Sequence, residues 1–533
     1  MFIGILLILV LIFLRSKDDL QKFQQNSYRI KRYSKWLTGK NNTFFKPHEW
    51  LYVLGAILFI FTPVVYLKVL GLFLILLDYY FFWLIKSATK SKLKLNVTAR
   101  VKRMMFTNAL ILIFLFLGWY YAADASKTIL ELLIAGLYLG SFLLTMMSNL
   151  INMPLETQIN DYYYKDAQKI MAKNPNLTVI GITGSYGKTS TKNVLYQILS
   201  KDFNVLMTPE SFNTKMGLTR TIRTYLKPTH QILIAEMGAK EIGDIKELCD
   251  FVHPKIGIIT SIGPQHLETF KTIENVISTK GELFKHLLPN GTAFVNVDDD
   301  HILKLPHRED LNYIHFSTNT NYADMMPLPD YAIEDVHLSG KGSSFTLVHV
   351  PSKKKVRLNT KLLGRHNLAN IVSGVAVALE LGVSMERLNT LIIDIKPVEH
   401  RLSYRCINDT YTLLDDAFNS NPIGSKMALE VLERFEGNSK IIITPGMIEL
   451  GSESFALNKK FGEQIAKVCD FTILVGKKQT EPIQEGLIES QYPSSKLYIA
   501  SDLSDALRKL DEIVSKDDVV LIENDLPDTF NEI

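Results

Sequence analysis

Hydrophobic and polar residues follow two different patterns along this chain, and the change falls near residue 150. In the first part, long apolar runs alternate with short basic segments, a pattern typical of membrane-spanning helices. In the second part, short apolar runs alternate with amphipathic stretches, as in α/β proteins whose mostly parallel sheet is covered on both faces. The pattern therefore predicts an α-helical transmembrane region followed by α/β domains.

Five apolar runs are candidates for membrane spans, and they cover residues 2–14, 51–67, 69–85, 104–121 and 129–146. The last four are close to the length needed to cross a bilayer, whereas the first is short enough for the core of a signal peptide. No small-residue cleavage site follows the first run, because Arg15 and Lys17 come directly after it. We therefore predict about five spans within residues 1–154, with four as the alternative.

Basic residues concentrate in segments 15–46 and 86–103, whereas the other connections hold little more than Lys68 and Lys127. Because positively charged loops stay in the cytoplasm, this predicts a multi-pass protein of the cell membrane whose residues beyond 150 are cytoplasmic. Within the spans, Asp78 is a candidate functional carboxylate. The Gly136/Gly140 pair is a small-residue motif that favours helix packing in a homodimer.

The second part predicts two successive α/β domains. We expect strands near residues 177–182, 231–235, 255–259 and 292–296, an antiparallel segment within 331–358 and a helix from about Asn367. A second series of strands is expected after Pro397, near residues 411–414, 440–444, 471–475, 496–499 and 518–522. We assign residues 155–396 to a P-loop ATPase-type parallel-sheet domain and residues 397–533 to a C-terminal Rossmann-like α/β domain.

Charge and cysteine content change this picture little. A net charge of +4 is small for 533 residues, and we expect no nucleic-acid partner. The three cysteines, Cys249, Cys406 and Cys469, have neither the spacing of a metal site nor that of a disulfide framework. This is expected for a reducing compartment such as the cytoplasm.

Residues 183–190, of sequence T-G-S-Y-G-K-T-S, carry the clearest chemical signal and are called the Gly-rich loop below. Gly184 and Gly187 allow the backbone to curl so that its N–H groups face phosphate oxygens, and the following helix adds its positive end. Lys188 supplies a cation and Thr189 a hydroxyl for Mg²⁺. The general P-loop pattern has glycine where this chain has Ile182, so this is a variant, and it predicts ATP binding by Gly184, Ser185, Gly187, Lys188, Thr189 and Ser190.

Two polar residues follow the strands beside this loop. Glu236 ends a predicted strand, where a Mg²⁺ ligand or a water-positioning group is expected, although a solvated strand-end acid also fits. His266 follows the next strand, and a lone histidine is more often a hydrogen-bonded residue than a metal ligand. Lys280 has the pattern of an ordinary exposed helical lysine, while the segments at Asn367 and Asn421 fit a helix start and a turn.

Taken together, the ordered motifs resemble the Mur ligase family, the ATP-dependent amide ligases of peptidoglycan precursor synthesis, and in particular its MurF type. The resemblance covers about residues 175–525. It rests on the Gly-rich loop and on S-F-N, A-E-M-G-A, G-P-Q-H-L-E, T-K-G-E, N-V-D-D, G-R-H-N-L-A-N and D-D-A-F-N-S-N-P, in that order along the chain.

The resemblance implies a role for each matching residue. Lys188 and Thr189 would hold the outer phosphates and Mg²⁺, and Glu236 and His266 would be metal-associated. Lys280 would carry a carbamate that bridges a second Mg²⁺. Asn367 would contact the adenine. Arg401 and Asp415 would contact the nucleotide from the C-terminal domain. The implied substrate contacts are Asn213, Asn419 and Asn421.

The implied reaction activates a substrate carboxylate as an acyl phosphate, with release of ADP, and an amine such as D-alanyl-D-alanine then displaces phosphate. The implied partners are ATP, a muramoyl-peptide-like or lipid-linked carboxylate, the amine and membrane lipid.

The chain departs from the family in three places. Membrane spans stand where the family has its UDP-binding domain, acids at Glu523 and Asp525 replace a Lys-Gly-Ser run, and Phe418 replaces a tyrosine. The alternatives are a ligase for another envelope polymer, a transporter driven by the P-loop domain, or a silent scaffold.

Overall fold

The structure, a computed structural model, describes residues 1–38, 46–88, 94–265, 267–418, 420–448 and 450–525. Two compact units divide the described chain, one ending at Tyr162 and the other running from Tyr163 to Asp525. Each unit has cores of its own, and each is described separately below.

The first unit is helical. Its helices are α1 (Phe2–Gln25), α2 (Ile30–Leu37), α3 (Glu49–Phe61), α4 (Val65–Ala88), α5 (Ala99–Tyr121), α6 (Asp124–Leu139) and α7 (Ser141–Ala172), the last of which ends in the second unit. By length and composition, α4 and α5 are able to cross a membrane, and the described residues hold a third candidate if the bent pair α6–α7 counts as one span.

The predicted number of five spans is therefore more than the described residues support. The run 2–14 is only the apolar half of α1, whose other half is charged. The run 51–67 breaks because Pro63 disfavours helix at Thr62, so α3 has 13 residues. The run 129–146 falls on α6 and α7, which meet at Gly140 with a bend of 93°.

Asp78 is completely buried in the first unit and has two hydrogen-bond partners. His48 Nδ1 lies 2.7 Å from one of its carboxylate oxygens, and the Tyr138 hydroxyl donates to the other at 2.7 Å. These bonds tie α4 to α6 and to the start of α3. The predicted pair Gly136/Gly140 does not bring helices together at Gly136 within the first unit, because a Cβ there would meet no atom within 4 Å.

A nine-stranded sheet organises the N-terminal part of the second unit, in the order β2-β3-β1-β4-β5-β6-β7-β8-β9. Its strands are β1 (Thr178–Thr183), β2 (Val205–Met207), β3 (Ile232–Glu236), β4 (Ile256–Ile259), β5 (Thr292–Asn296), β6 (Asn312–Phe316), β7 (Tyr331–Ser339), β8 (Gly342–His349) and β9 (Lys354–Thr360). Neighbours from β2 to β7 are parallel, whereas β7, β8 and β9 pair antiparallel. The sheet is therefore mixed, and the predicted antiparallel segment extends it.

Helices cover both faces of this sheet. They are α8 (Lys188–Leu199), α9 (Lys215–Tyr225), α10 (Asp244–Val252), α11 (Leu267–Phe270), α12 (Ile273–Lys285), α13 (Asp300–Leu303), α14 (Arg365–Glu380) and α15 (Leu388–Ile393). Apolar side chains of α8 and α14 share one buried cluster, and those of α10 and α12 share another. Because β1 and β4 are parallel neighbours, the helices that follow them begin at the same edge of the sheet.

A six-stranded sheet forms the C-terminal part of the second unit, in the order β10-β11-β15-β12-β13-β14. Its strands are β10 (Ser403–Ile407), β11 (Tyr411–Asp416), β12 (Lys440–Thr444), β13 (Phe471–Val475), β14 (Leu497–Ala500) and β15 (Val519–Glu523). Its helices are α16 (Pro422–Arg434), α17 (Ser454–Val468), α18 (Glu481–Glu489) and α19 (Leu503–Ile513). Only the edge strand β10 runs antiparallel to its neighbour.

The cysteines differ sharply in environment. Cys249 and Cys469 are buried, and burial raises the pKa of both thiols. Cys406 lies on β10 and is exposed. All three thiols are free.

Candidate active site

The Gly-rich loop connects β1 to α8, and its shape depends on two glycines with positive φ. Gly184 has φ +147° and Gly187, which precedes the first residue of α8, has φ +82°. A Cβ at Gly184 would lie 2.1 Å from Thr260 Oγ1. The residue after β4 therefore presses against the loop, and glycine is required there for steric as well as conformational reasons.

Lys188 folds back onto this loop. Its ammonium donates to the carbonyl oxygens of Gly184 and Ser185 at 2.6 and 3.2 Å. Burial lowers the pKa of Lys188 to about 8, an effect that Arg401 strengthens and Glu236 opposes. The lysine thus lies at the loop with its charge incompletely compensated, which suits an anion such as phosphate.

Glu236 is the centre of the polar contacts at the sheet edge. It pairs in register with Ile182, the residue before the last of β1, and its side chain is buried. Its carboxylate accepts from Asn213 Nδ2 at 3.0 Å and from the Thr189 hydroxyl at 3.3 Å. Burial alone would raise the pKa of Glu236, but Lys192, Asn213 and Lys188 outweigh it and hold that pKa below its ordinary value.

Lys192 is a member of this cluster that the sequence did not point out. Its ammonium lies 2.9 Å from Glu236 Oε2, and its side chain is only 1% exposed. A signal was available, because Lys192 stands four residues after Lys188 and so lies on the same face of α8.

Lys280 is buried in α12, contrary to its exposed appearance in the sequence. Burial and the positive charge of Lys188 together lower its pKa to about 7, against weaker opposing effects of Asp244 and Glu282. A lysine in this environment is largely neutral at physiological pH, which is the reactive form for carbamate formation.

Asn367 lies in the first turn of α14, beside α8. Its amide donates to the Leu363 carbonyl at 2.8 Å, and Asn370 donates to Asn367 at 3.0 Å. Asn370 also accepts from the Thr191 hydroxyl of α8 at 3.0 Å. A narrow pocket brings Asn367 together with Ser190 and Arg401, three of the predicted nucleotide residues.

Arg401 and Asp415 come from the C-terminal part. The Arg401 guanidinium lies 4.3 Å from the centre of the Phe418 ring, so the aromatic residue that replaces tyrosine stacks on a predicted nucleotide contact. The Asp415 carboxylate oxygen Oδ2 instead lies 2.8 Å from His400 Nδ1. The neighbouring Asp416, which the sequence did not single out, has its pKa raised to about 7 by burial and by the adjacent Glu523.

The remaining predicted residues have different outcomes. Asn421 begins α16, and its side chain accepts from the Gly424 N–H at 2.9 Å, a structural capping role. Glu523 is buried and accepts from the Thr444 hydroxyl at 2.7 Å and from Ser420, so it presents no free carboxylate. His266 and Asn419 lie outside the described residues.

Comparison with known proteins agrees with this arrangement. The sequence pattern of the Mur ligase middle domain matches residues 182–378, and that of the Mur ligase glutamate ligase domain matches residues 400–523. The chain belongs to the Mur ligase family. This confirms the family resemblance and the α/β fold.

Relatives and solved structures place this Mur ligase beside MurF proteins. It is 30% identical over 302 residues to the UDP-N-acetylmuramoyl-tripeptide–D-alanyl-D-alanine ligase of Escherichia coli, which covers 56% of this chain. It is 26% identical over 346 residues to the Bacillus subtilis protein of the same name, 65% of this chain and 72% of that one. The chain spans 65% of the Escherichia coli relative, slightly less than two thirds of its length.

The fold comparison gives the same result. MurF from Acinetobacter baumannii superposes with a TM-score of 0.61 at 25% identity, over 70% of this chain and 78% of that one. MurF from Thermotoga maritima, solved in complex with ADP, superposes with a TM-score of 0.60 at 27% identity, over 70% and 82% of the two chains.

The donors at the Gly-rich loop of this Mur ligase suit Mg²⁺. The Thr189 hydroxyl and a Glu236 carboxylate oxygen lie 3.3 Å apart, and Mg²⁺ is usually held by one or two protein oxygens together with phosphates and water. Among the described residues, no group of three or more His, Cys, Asp or Glu side chains forms a metal site by itself. The residues therefore fit a cation that arrives with a nucleotide.

Proposed function

We propose that this Mur ligase is a membrane-anchored, ATP-dependent amide ligase of MurF type. Its products would be cell-envelope precursors in which a carboxylate has been joined to an amino acid or to a dipeptide such as D-alanyl-D-alanine. The observation that carries the proposal is the meeting of Lys188, Thr189 and Glu236 at one sheet edge, with Asn213 bonded to the same carboxylate. The proposal is also supported by the relatives that are named D-alanyl-D-alanine ligases and by the fold shared with MurF structures.

The residues of the Gly-rich loop and Arg401 have different roles in acyl phosphate formation. Gly184, Ser185, Gly187 and Ser190 shape the loop that receives the phosphates, while Lys188 and Arg401 offset their charge. The substrate carboxylate oxygen bonds to the γ-phosphorus, the bond to the bridging oxygen breaks, and ADP leaves. Mg²⁺, when held by Thr189 and Glu236, would neutralise phosphate charge.

The second step forms the amide. The amine nitrogen bonds to the acyl carbon, phosphate departs with the former carboxylate oxygen, and the nitrogen loses a proton. Residues of the C-terminal part, Arg401 and Asp415 among them, would close over the nucleotide, since water must be kept from the acyl phosphate. We also propose that His266, and Lys280 as a carbamate, complete the metal-associated groups.

The hydrophobic first unit bears on the substrate. We propose that α4 and α5 keep the enzyme at the membrane with its catalytic residues in the cytoplasm, where a lipid-linked muramoyl peptide could reach it. The family resemblance implies a UDP-binding domain where this chain has its first unit, and for that reason a UDP-linked acceptor is only the second candidate.

The test is ADP release by the full chain, purified in detergent, with ATP and Mg²⁺. Muramoyl-peptide acceptors in UDP-linked and lipid-linked forms are offered, each with and without D-alanyl-D-alanine. Release that needs both partners, together with a new amide in the mass spectrum, is the expected result. Protein that binds ATP but stays silent with every acceptor would contradict the proposed substrates.

A further inference from the structure

Lys192 is a buried cation whose contacts join three separate elements of the second unit. It lies on α8, one turn after Lys188. Its ammonium is 2.9 Å from Glu236 Oε2 at the end of β3, and it donates to the Glu210 carbonyl at 2.5 Å. A lysine side chain that is only 1% exposed is rare and must be paired, and these two contacts stabilise its buried charge.

Glu210 belongs to a short connection, residues 208–213, that we call the clamp loop. Its φ is +41°, a left-handed conformation that is uncommon for a residue other than glycine. Such a conformation persists where surrounding contacts enforce it. The bond from Lys192 to the Glu210 carbonyl is a contact of this kind.

The clamp loop in turn holds Asn213 against Glu236. Asn213 Nδ2 donates to Glu236 Oε1 at 3.0 Å, and the Asn213 carbonyl accepts from the Gly238 N–H at 2.8 Å. At the other end of the loop, the Thr208 hydroxyl accepts from the Glu236 N–H at 3.1 Å. One ammonium therefore contacts both the carboxylate and the loop that brings an amide to that carboxylate.

We propose that Lys192 is a positioning residue that fixes the clamp loop and thereby the orientation of Asn213 and Glu236. Its significance for catalysis rests on the proposed ligase function, but its effect on the loop does not. A plain counter-ion for Glu236 would balance the carboxylate charge and leave the loop unaffected. The two roles are separable because Lys192 uses different contacts for each.

The experiment compares four forms of the full chain in detergent: wild type, Lys192→Met, Glu236→Gln and the double variant. Lys201→Met is the control, because Lys201 is an exposed lysine just beyond the end of the same helix. Hydrogen–deuterium exchange of peptides covering the clamp loop is measured beside that of β5, and thermal unfolding gives the midpoint of each form. ADP release gives kcat and the KM for ATP.

In Lys192→Met we expect exchange in the clamp loop to rise about tenfold, with β5 unchanged, and a lower unfolding midpoint because Glu236 is left buried without its cation. The double variant leaves no unpaired charge at positions 192 and 236, so its midpoint recovers even if the single variant folds poorly. Its clamp loop stays fast in exchange, because the Glu210 contact is still missing. If the protein is active, kcat falls in Lys192→Met and in the double variant by a larger factor than the KM for ATP rises.

Protection of the clamp loop in the double variant at the wild-type level would overturn the proposal and reduce Lys192 to a counter-ion. Wild-type exchange in the loop of Lys192→Met would overturn it as well. Since neither readout needs turnover, failure of the ligase assay in all forms would count against the proposed function and leave this inference intact.

Discussion

Lys280 shows how strongly burial changes a residue whose sequence context is unremarkable. It reads as an exposed helical lysine, yet α12 places it in the protein interior, where burial and Lys188 lower its pKa to about 7. Because the folded form holds fewer protons than the unfolded form between about pH 7 and the ordinary value of 10.5, this group makes the protein more stable as pH rises through that window.

We expect Lys280→Ala to abolish ADP release, and bicarbonate or a short carboxylic acid to restore part of it by replacing the carbamate. Wild-type activity should rise with bicarbonate and with pH through about 7, since only the neutral amine forms the carbamate. The measurement is acceptor-dependent ADP release from pH 6 to 9. Lys285→Ala, an exposed lysine on the same helix, is the matched control, and normal turnover in Lys280→Ala would disprove the role.

Gly184 offers a second test at this scale. Gly184→Ala places a methyl group 2.1 Å from Thr260 Oγ1, so the Gly-rich loop must shift. We expect at least a tenfold weaker affinity for an ATP analogue in equilibrium binding, since the loop amides no longer share one orientation. Gly382→Ala is the control: its φ is +93° but a Cβ there meets no atom within 4 Å, so it should cost stability, about 1 kcal/mol, without loss of binding.

At the scale of elements, the strands that carry the site could be predicted well. Apolar runs near residues 177–182, 231–235 and 292–296 lie within two residues of β1, β3 and β5, because buried parallel strands are continuous hydrophobic segments. The strands β2, β6 and β10 were missed. The first has three residues, and β10 is an exposed edge strand with no apolar run.

Contacts between elements could not be predicted in the same way. The sequence indicates that Glu236 and the Gly-rich loop share a sheet edge, and the spacing of Lys192 from Lys188 places both on one face of α8, but it does not show that Lys192 joins the clamp loop to Glu236. Such contacts depend on side-chain packing between α8, β3 and a loop. Similarly, the sequence shows an acid at Glu523 where the family has a Lys-Gly-Ser run, but not that the hydroxyls of Ser420 and Thr444 donate to its carboxylate.

Asn421 separates a capping role from a substrate role. Its side chain caps α16, so Asn421→Ala should lower the free energy of unfolding by about 1 kcal/mol in urea denaturation. Asn421→Ser keeps a good capping residue and should restore that stability. If the serine variant is stable but inactive, Asn421 also contacts substrate; if it is stable and fully active, the predicted substrate role is wrong.

At the scale of the whole molecule, the first unit lies outside the two Mur ligase domain matches, which begin at residue 182. In the described part of the chain, two helices meet the length and hydrophobicity of membrane spans, or three if the bent pair α6–α7 is one span. This is fewer than the five apolar runs suggested, because a proline, a charged half-helix and a bend interrupt the others. Hydropathy counts apolar residues along the chain, whereas the structure also shows where helices end.

We expect the full chain to sediment with membranes and to resist extraction by sodium carbonate, while detergent releases it, because α4 and α5 would remain in the hydrocarbon layer. Immunoblotting of the fractions, with an integral and a peripheral membrane protein as standards, gives the result. Release by carbonate or by high salt would show that the first unit attaches to a surface and does not span a bilayer.

The three cysteines allow this protein to carry a spectroscopic label without any engineering. With Cys249 and Cys469 buried and their thiols held protonated, a maleimide dye at neutral pH would attach to the exposed Cys406 alone. That residue lies on β10, which begins two residues after Arg401. A single fluorophore on the wild-type chain would therefore report in real time on how the C-terminal part responds when a nucleotide arrives.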